Sequence, residues 1–385
     1  MIPYGKQNIC KQDIEKVIQI LNSNNLTQGP TVLKFEQALA KHCKAKYAVA
    51  VSSGTAALHL AYLAAGIGKN DAIWTTPNTF AATANAALYC GAKPNFIDIN
   101  PNTYNISVEK LEEKLIQAAK NNSLPQAVIP VHFAGQACEM KKIARLSRKY
   151  GFTIIEDASH AIGTKYNDGK YIGDCKYSNI TTFSFHPVKT ITTGEGGAAL
   201  TNNKKIYKKL LTLRSHGIVK NSKMAEKYGL WYYQMQHLGF NYRITDIQAA
   251  LGISQLNKLN NFVEKRKKIV RQYNNAFKNI PHLTIPYEKE KKNTSFHLYV
   301  LQIDFKKIKK SRKTVMEKLS ARNIATQVHY IPVYRHPYYK KKFGYNYKNY
   351  PATENYYKKA LSIPLYPAMT NSQVEYVIEK ITALF

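Results

Sequence analysis

TTFSFHPVKTITTGEGGAAL, residues 181–200, sets a short apolar run, a lysine and a glycine-rich turn ahead of a second apolar run. TTFSF (181–185) reads as a strand, and GAALTN, opening at Gly197, reads as another. Lys189 therefore falls in a tight connection between strands, where TTGEGG permits close backbone approach. Upstream, YAVAV (47–51), AIWTT (72–76), NFIDI (95–99), AVIPVHF (127–133) and FTIIED (152–157) repeat the strand pattern. The segments between them, such as LEEKLIQAAK (111–120) and MKKIARLSRKYG (140–151), carry helical spacing. Runs such as AVIPV are apolar on both faces, as strands covered on both sides must be, so the chain predicts an α/β fold around a mostly parallel central sheet.

Ahead of this region, KQDIEKVIQILN (11–22) predicts an amphipathic helix through Ile14, Val17, Ile18 and Leu21. VLKFEQALAKHC (32–43) predicts a second helix, with NNLTQGP as the loop between them. Beyond GFNYRITDIQAALGISQLNKL (239–259), a charged helix (260–277) leads past Pro281 and Pro286 into a smaller C-terminal α/β domain. Its expected elements are strands at 296–304 and 325–332 and helices at 312–323 and 372–385. The division is placed between residues 1–255 and 256–385, since one core rarely grows past roughly 250–300 residues.

The 385 residues include 56 Lys and Arg against 24 Asp and Glu, a formal charge of +32. These lysines are scattered or fall in short runs, YEKEKKN (287–293) and YYKKKFGYNYKNY (338–350), not in one basic arm. No zinc-finger spacing, RNP-like motif or basic zipper accompanies them, so no specific nucleic-acid partner is expected. The five cysteines are far apart, without a CxxC pair, which excludes a zinc site or disulfide framework as the organising device and suits a reducing cytoplasm. No metal-ligand pattern appears, and no run of about 18 apolar residues calls for a membrane.

In an open α/β sheet the ligand sits beyond the carboxyl ends of the strands. Three such ends carry chemistry. SSGTAAL (52–58) starts a helix directly after a strand, so Ser53, Gly54, Thr55 and Ala56 offer either an ordinary helix cap or an anion cradle. TIIEDASHA (153–161) places Asp157 after an apolar run, where a carboxylate can cap a helix, serve a metal, act as a base or pair with a cationic ring nitrogen. TTFSFHPVKT brings Ser184 and Lys189. A lysine there is either a solvated charge or, beside a phosphate site and a carboxylate, a Schiff-base candidate for pyridoxal 5′-phosphate. Lowering its pKa from about 10.4 to near 7 takes roughly 4–5 kcal/mol of desolvation and positive charge.

SSGTAAL, PNTFAATANAAL, EDASHAIG, FSFHPVKTITTGEGG, LRSHG, GFNYRITDIQAALG and QVHYIP, in this order over nearly the whole chain, resemble the DegT/DnrJ/EryC1/StrS family of sugar aminotransferases. The resemblance implies the type I aspartate aminotransferase fold and a homodimer with shared active sites. It makes Lys189 the cofactor-linked lysine and proton shuttle, and Asp157 the partner of the pyridine nitrogen. Gly54, Thr55, Ala56 and Ser184 would hold the phosphate, Phe80 would cover the cofactor face, and His160 would stand beside the ring. Asn241, with Arg243, would reach into the neighbouring subunit's site.

L-glutamate would be the amino donor, leaving pyridoxamine 5′-phosphate to meet a UDP-linked 4-keto-6-deoxy sugar. NLTQGP, HPVKTITTGEGG, LRSHGI and QVHYIPVYRHPYY resemble most the pseudaminic acid branch, which aminates C4 of UDP-2-acetamido-2,6-dideoxy-β-L-arabino-hexos-4-ulose. By that likeness Tyr4, Asn25, Leu26, Thr27, Gly54, Ser184, Asn241, His329 and Tyr330 would contact the sugar nucleotide. A bacillosamine or legionaminic acid precursor is the alternative substrate, and a non-catalytic nucleotide-sugar sensor the alternative of another class. His186 and His216 lie in the same motifs without an assigned task.

Overall fold

A computed structural model describes residues 1–287 and 293–385, so most of the charged run 287–293 lies outside the described residues. Seven strands form the central sheet: Tyr47–Val51 (β1), Ala72–Thr75 (β2), Lys93–Phe96 (β3), Ala127–Ile129 (β4), Thr153–Asp157 (β5), Ile180–Ser184 (β6) and Gly197–Thr201 (β7). Their spatial order is β1-β7-β6-β5-β4-β2-β3. β7 runs antiparallel to both its neighbours, while β6-β5, β5-β4, β4-β2 and β2-β3 pair in parallel.

Helices cover both faces because successive strand residues point to opposite sides. Helices Lys11–Leu21 (α1) and Pro30–Cys43 (α2) precede the sheet, and Gly54–Ala64 (α3), Ala81–Tyr89 (α4), Val108–Lys120 (α5), Met140–Tyr150 (α6) and Lys204–Arg214 (α7) connect or follow its strands. Val49 and Val51 of β1 join α3 and α7 in one core, whereas Ala48 and Ala50 face α2, α5 and α6 in the other. Side chains such as Phe35 and Leu60 are fully buried there, each contributing roughly 1.5–3 kcal/mol by leaving water.

The chain then forms a two-strand hairpin, Ile218–Val219 (β8) with Gln234–Met235 (β9), around Ser222–Tyr228 (α8). Asp246–Asn257 (α9) and Leu259–Phe277 (α10) follow. The second sheet consists of Leu283–Thr284 (β10), Tyr299–Ile303 (β11) and Ala360–Ile363 (β12), packed with Arg312–Ser320 (α11) and Asn371–Thr382 (α14). Between them lie Pro337–Phe343 (α12) and Pro351–Lys359 (α13). The amino terminus joins this half, since Ile2 bridges Ile324.

Three expected elements differ. The strand expected at 325–332 makes only an isolated bridge, Gln327 to Ser362, and β12 takes its place beside β11. His329 and Tyr330 of that run turn instead toward Ser362 Oγ (2.8 Å) and His160 Nε2 (2.9 Å). The run expected at 127–133 is regular only to Ile129, since Pro130 has no N–H for the ladder, and continues beyond it as a single Val131–Asp157 bridge. NFIDI leaves the sheet after Phe96, since Asp98 caps α13 through the N–H groups of Ala352 and Thr353, both at 2.9 Å. Helix α1 forms as expected, yet Ile14, Ile18 and Leu21 remain exposed. It docks through its buried Asp13, paired with Lys258 and Gln255.

Candidate active site

A cavity of about 760 Å³ opens beyond the carboxyl ends of β1, β5 and β6. The sheet order places these ends near one another, because only β7 separates β1 from β6. Residues Ser52–Thr55 after β1, Asp157 and His160 at β5, and Ser184 and Lys189 at β6 all reach its wall. α4 and the turn ahead of it add Thr83, Thr79 and Phe80, and the C-terminal half adds His297 and Gln327–Ile331.

Asp157 is buried and held by three hydrogen bonds, one to Oδ2 and two to Oδ1. Thr83 Oγ1 donates to Oδ2 at 2.7 Å, while Ser159 donates to Oδ1 through its N–H (3.1 Å) and its hydroxyl (2.6 Å). Such an arrangement fixes the carboxylate as an acceptor-only group beside the cavity. Behind it, on the opposite face of β5, Glu156 accepts from Tyr166 (2.7 Å), Thr181 (2.9 Å), His132 (2.7 Å) and Ser178. Cys138 N–H donates to His132 Nδ1 at 3.0 Å, so the histidine proton sits on Nε2, facing Glu156.

Lys189 follows β6 in the turn whose backbone folds back through Lys189 N–H to His186 C=O (2.9 Å). Desolvation pulls its amine pKa down to about 8, against the opposing charge of Asp157. A neutral amine is thereby within reach near physiological pH, which is what a nucleophilic or proton-transferring lysine requires. Burial and the same lysine hold the neighbouring imidazoles neutral: His160 lies well below the ordinary histidine value, and His329 is pushed down to about 3.

The start of α3 is compressed against β6. A Cβ on Gly54 would lie 2.7 Å from Ser184 Cβ, so only glycine lets the helix N-terminus approach the Ser184 hydroxyl this closely. Ser53 Oγ caps the helix by accepting the Ala56 N–H at 3.1 Å. The cradle therefore offers the Gly54 and Thr55 amides and the Ser184 hydroxyl, with the positive end of a helix behind them.

Tyr4, Gly54, Thr55, Phe80, Asp157, His160, Ser184, Lys189, His329 and Tyr330 thus come together around one cavity, as does His186. Ala56 does not, because its N–H is already used by the cap. Asn25, Leu26 and Thr27 also lie off the cavity, exposed in a loop tied to the start of α9 by a Thr27–Thr245 bridge and a 3.0 Å bond from Asp246 N–H to Leu26 C=O. Asn241 is exposed, bridging Ser215. Thr83, Ser159 and His297 were not singled out from the sequence. Ser159 carried a signal, two residues after Asp157 in an Asx-type turn, whereas Thr83 sits in an alanine-rich helix and His297 in an ordinary-looking strand entry.

Amine, carboxylate and anion cradle meet the three demands of pyridoxal phosphate: a carbonyl partner, a negative group for its ring nitrogen and a site for its phosphate. The comparisons agree. The DegT/DnrJ/EryC1/StrS aminotransferase family model matches residues 7–382. UDP-4-amino-4,6-dideoxy-N-acetyl-β-L-altrosamine transaminase of Campylobacter jejuni is 42% identical over 378 residues, covering 98% of this chain and 96% of that one. Helicobacter pylori PseC, an aminotransferase involved in the biosynthesis of pseudaminic acid, superposes with a TM-score of 0.90 at 31% identity, covering 100% of this chain and 99% of the other. The sugar aminotransferase Spr1654 of Streptococcus pneumoniae, solved in its PMP form, gives 0.89 at 26% identity, covering 100% and 99%. Its PLP form gives 0.87 at 26%, covering 100% and 98%. The chain belongs to the DegT/DnrJ/EryC1/StrS aminotransferase family and is a pyridoxal-phosphate-dependent sugar aminotransferase.

Proposed function

We propose that the enzyme transfers the amino group of L-glutamate to C4 of UDP-2-acetamido-2,6-dideoxy-β-L-arabino-hexos-4-ulose, giving UDP-4-amino-4,6-dideoxy-N-acetyl-β-L-altrosamine. The observation that carries this reading is near-full-length likeness to an altrosamine transaminase, combined with a half-buried lysine whose pKa falls to about 8 near the charge of Asp157. When bound, pyridoxal phosphate supplies the electron sink that makes the carbon–hydrogen bond next to the nitrogen acidic.

The chain's own residues do the rest. Lys189 would hold the cofactor, and its amine, neutral near physiological pH, would accept and return the proton of the substrate carbon. Asp157, pinned by Thr83 and Ser159, presents a negative oxygen to the ring nitrogen. The Gly54 and Thr55 amides and Ser184 bind the phosphate. Phe80, 62% exposed at the cavity, would cover the cofactor ring and exclude water, and His160 would stand beside it. Tyr4, His329 and Tyr330, which line the same cavity, would contact the sugar nucleotide.

The same proposal divides the chain after residue 255 and makes it a homodimer in which Asn25–Thr27 and Asn241 serve the neighbouring site. Exposed Leu230, Trp231, Tyr233, Met235 and Leu238 on and around the β8–β9 hairpin support a second copy as their cover. Five free cysteines suit the cytoplasm.

The test offers the L-arabino keto sugar and its D-configured counterpart side by side, with L-glutamate. Conversion of the first, with loss of the cofactor's visible band on adding glutamate alone, is the expected result. Turnover of the D sugar alone would replace the substrate, and turnover of neither would favour a sensor.

A further inference from the structure

His160 has a fixed proton. The Ala134 N–H, which can only donate, points at His160 Nδ1 at 3.3 Å. Nδ1 is therefore the bare nitrogen, and in the neutral ring the proton is on Nε2. Nε2 lies 2.9 Å from the Tyr330 hydroxyl. Tyr330 must accept that bond, so its own hydrogen points elsewhere. Among the described residues no acceptor is recorded for it, and the tyrosine lines the cavity that also holds Lys189.

The surroundings enforce this polarity. Ala134 adopts left-handed backbone (φ 54°), a strained state for a residue with a Cβ, and uses it to aim its N–H at His160 while its C=O accepts the His297 N–H at 2.9 Å. Gly135 follows with φ 91°, and a Cβ there would lie 2.7 Å from Ser295 Oγ and 3.0 Å from the His160 carbonyl. Ser295 Oγ donates to that carbonyl at 3.3 Å and receives Thr164 Oγ1 at 2.8 Å. The His297 ring packs 4.4 Å from the His160 ring, and the Tyr330 ring lies 6.0 Å away, tilted by only 22°. Residues 133–135 and 295–297 thus cross as a clamp that holds His160 in place.

We propose that the Tyr330 hydroxyl donates a hydrogen bond to the carbonyl oxygen of the keto substrate, with His160 and the Ala134 backbone as the positioning groups that set its direction. This rests on the aminotransferase reading above. A donor there draws electron density from the carbonyl carbon as an amine attacks it and stabilises the charge that grows on oxygen.

The test compares the wild-type holoenzyme with Tyr330→Phe, which keeps the ring and loses the donor. A kcat about 100-fold lower with little change in KM is expected for the keto sugar, with cofactor still bound. At equal cofactor occupancy His160→Gln, which retains an acceptor for Ala134 and a donor for Tyr330, should lose less kcat than His160→Leu. Independently of turnover, ¹⁵N spectra of histidine side chains in the cofactor-free protein should show His160 neutral and protonated on Nε2. Protonation on Nδ1, or an equally active Tyr330→Phe beside an active wild type, overturns this inference alone. A wild type that converts no keto sugar overturns the aminotransferase reading and this inference with it.

Discussion

Thr83, in the first turn of α4, donates its hydroxyl hydrogen to Asp157 at the end of β5 across 2.7 Å, and Thr79 Oγ1 stands 2.7 Å behind it. The hydrogen bond ties the carboxylate to a helix 74 residues earlier in the chain. Bonds to a charged group contribute roughly 1.5–3 kcal/mol. Thr83→Val should therefore weaken binding of pyridoxal phosphate about tenfold or more, measured by titrating the cofactor-free protein. Unchanged affinity would show that Ser159 alone holds Asp157.

Asp157→Asn keeps the shape and loses the charge. Turnover should fall by about two orders of magnitude or more, as expected when a group that stabilises developing charge is removed. Steady-state rates with intact cofactor occupancy decide it, and full activity would take Asp157 out of its proposed role.

The depressed pKa of Lys189 has a pH signature. Its folded value of about 8 lies below its ordinary 10.5, so at pH 7 the folded protein carries a desolvated charge at a cost of about 3 kcal/mol. Between these values the unfolded chain binds more protons, and stability rises with pH. Cofactor-free Lys189→Met should be more stable than wild type at pH 7, with the gap closing between pH 8 and 10.5 in denaturant titrations. A gap independent of pH would refute the shift.

Glu156 makes the opposite prediction. Burial raises its pKa, but the bonds from His132, Ser178 and Tyr166 outweigh that and leave it lowered. Its stabilisation is present above the ordinary carboxyl range and is lost as pH falls through the folded value. Glu156→Leu orphans several buried donors at roughly 1–3 kcal/mol each, so thermal unfolding should drop sharply, with Glu156→Gln intermediate.

Trp231 is 74% exposed and Leu238 81%. On the proposed homodimer, replacing both by Asp should shift the protein toward monomer in light scattering with little loss of secondary structure. Retained dimer would move the interface elsewhere, and the exposed face of α1 is the next surface to change.

The central sheet was legible because most of its strands are short, buried and largely apolar and alternate with helix patterns, the edge strand β3 and the β6–β7 pair being the exceptions. Asp157 and Lys189 were legible because they end such runs. What the sequence hid was long-range. Thr83 looks like any small residue on a buried helix until β5 is placed against it. ALSI (360–363) follows α13 with no turn residue to announce it, so β12 was missed, while 325–332 had the better strand composition and spent its backbone elsewhere. The spacing of α1 reported an apolar face correctly but not that this face stays open within one chain.

β7 returns antiparallel beside β6, so the segment bearing Lys189 has both ends anchored in adjacent strands. Phe185 alone makes two backbone contacts across its neck, its N–H to Gly196 at 2.8 Å and its C=O from Thr193 at 3.0 Å. A loop closed at the base leaves the main chain at residue 189 with little freedom to travel. Any journey of the amine across the cavity is then made by rotation within its four-methylene stem, a movement of nanoseconds or faster that needs no rearrangement of the fold.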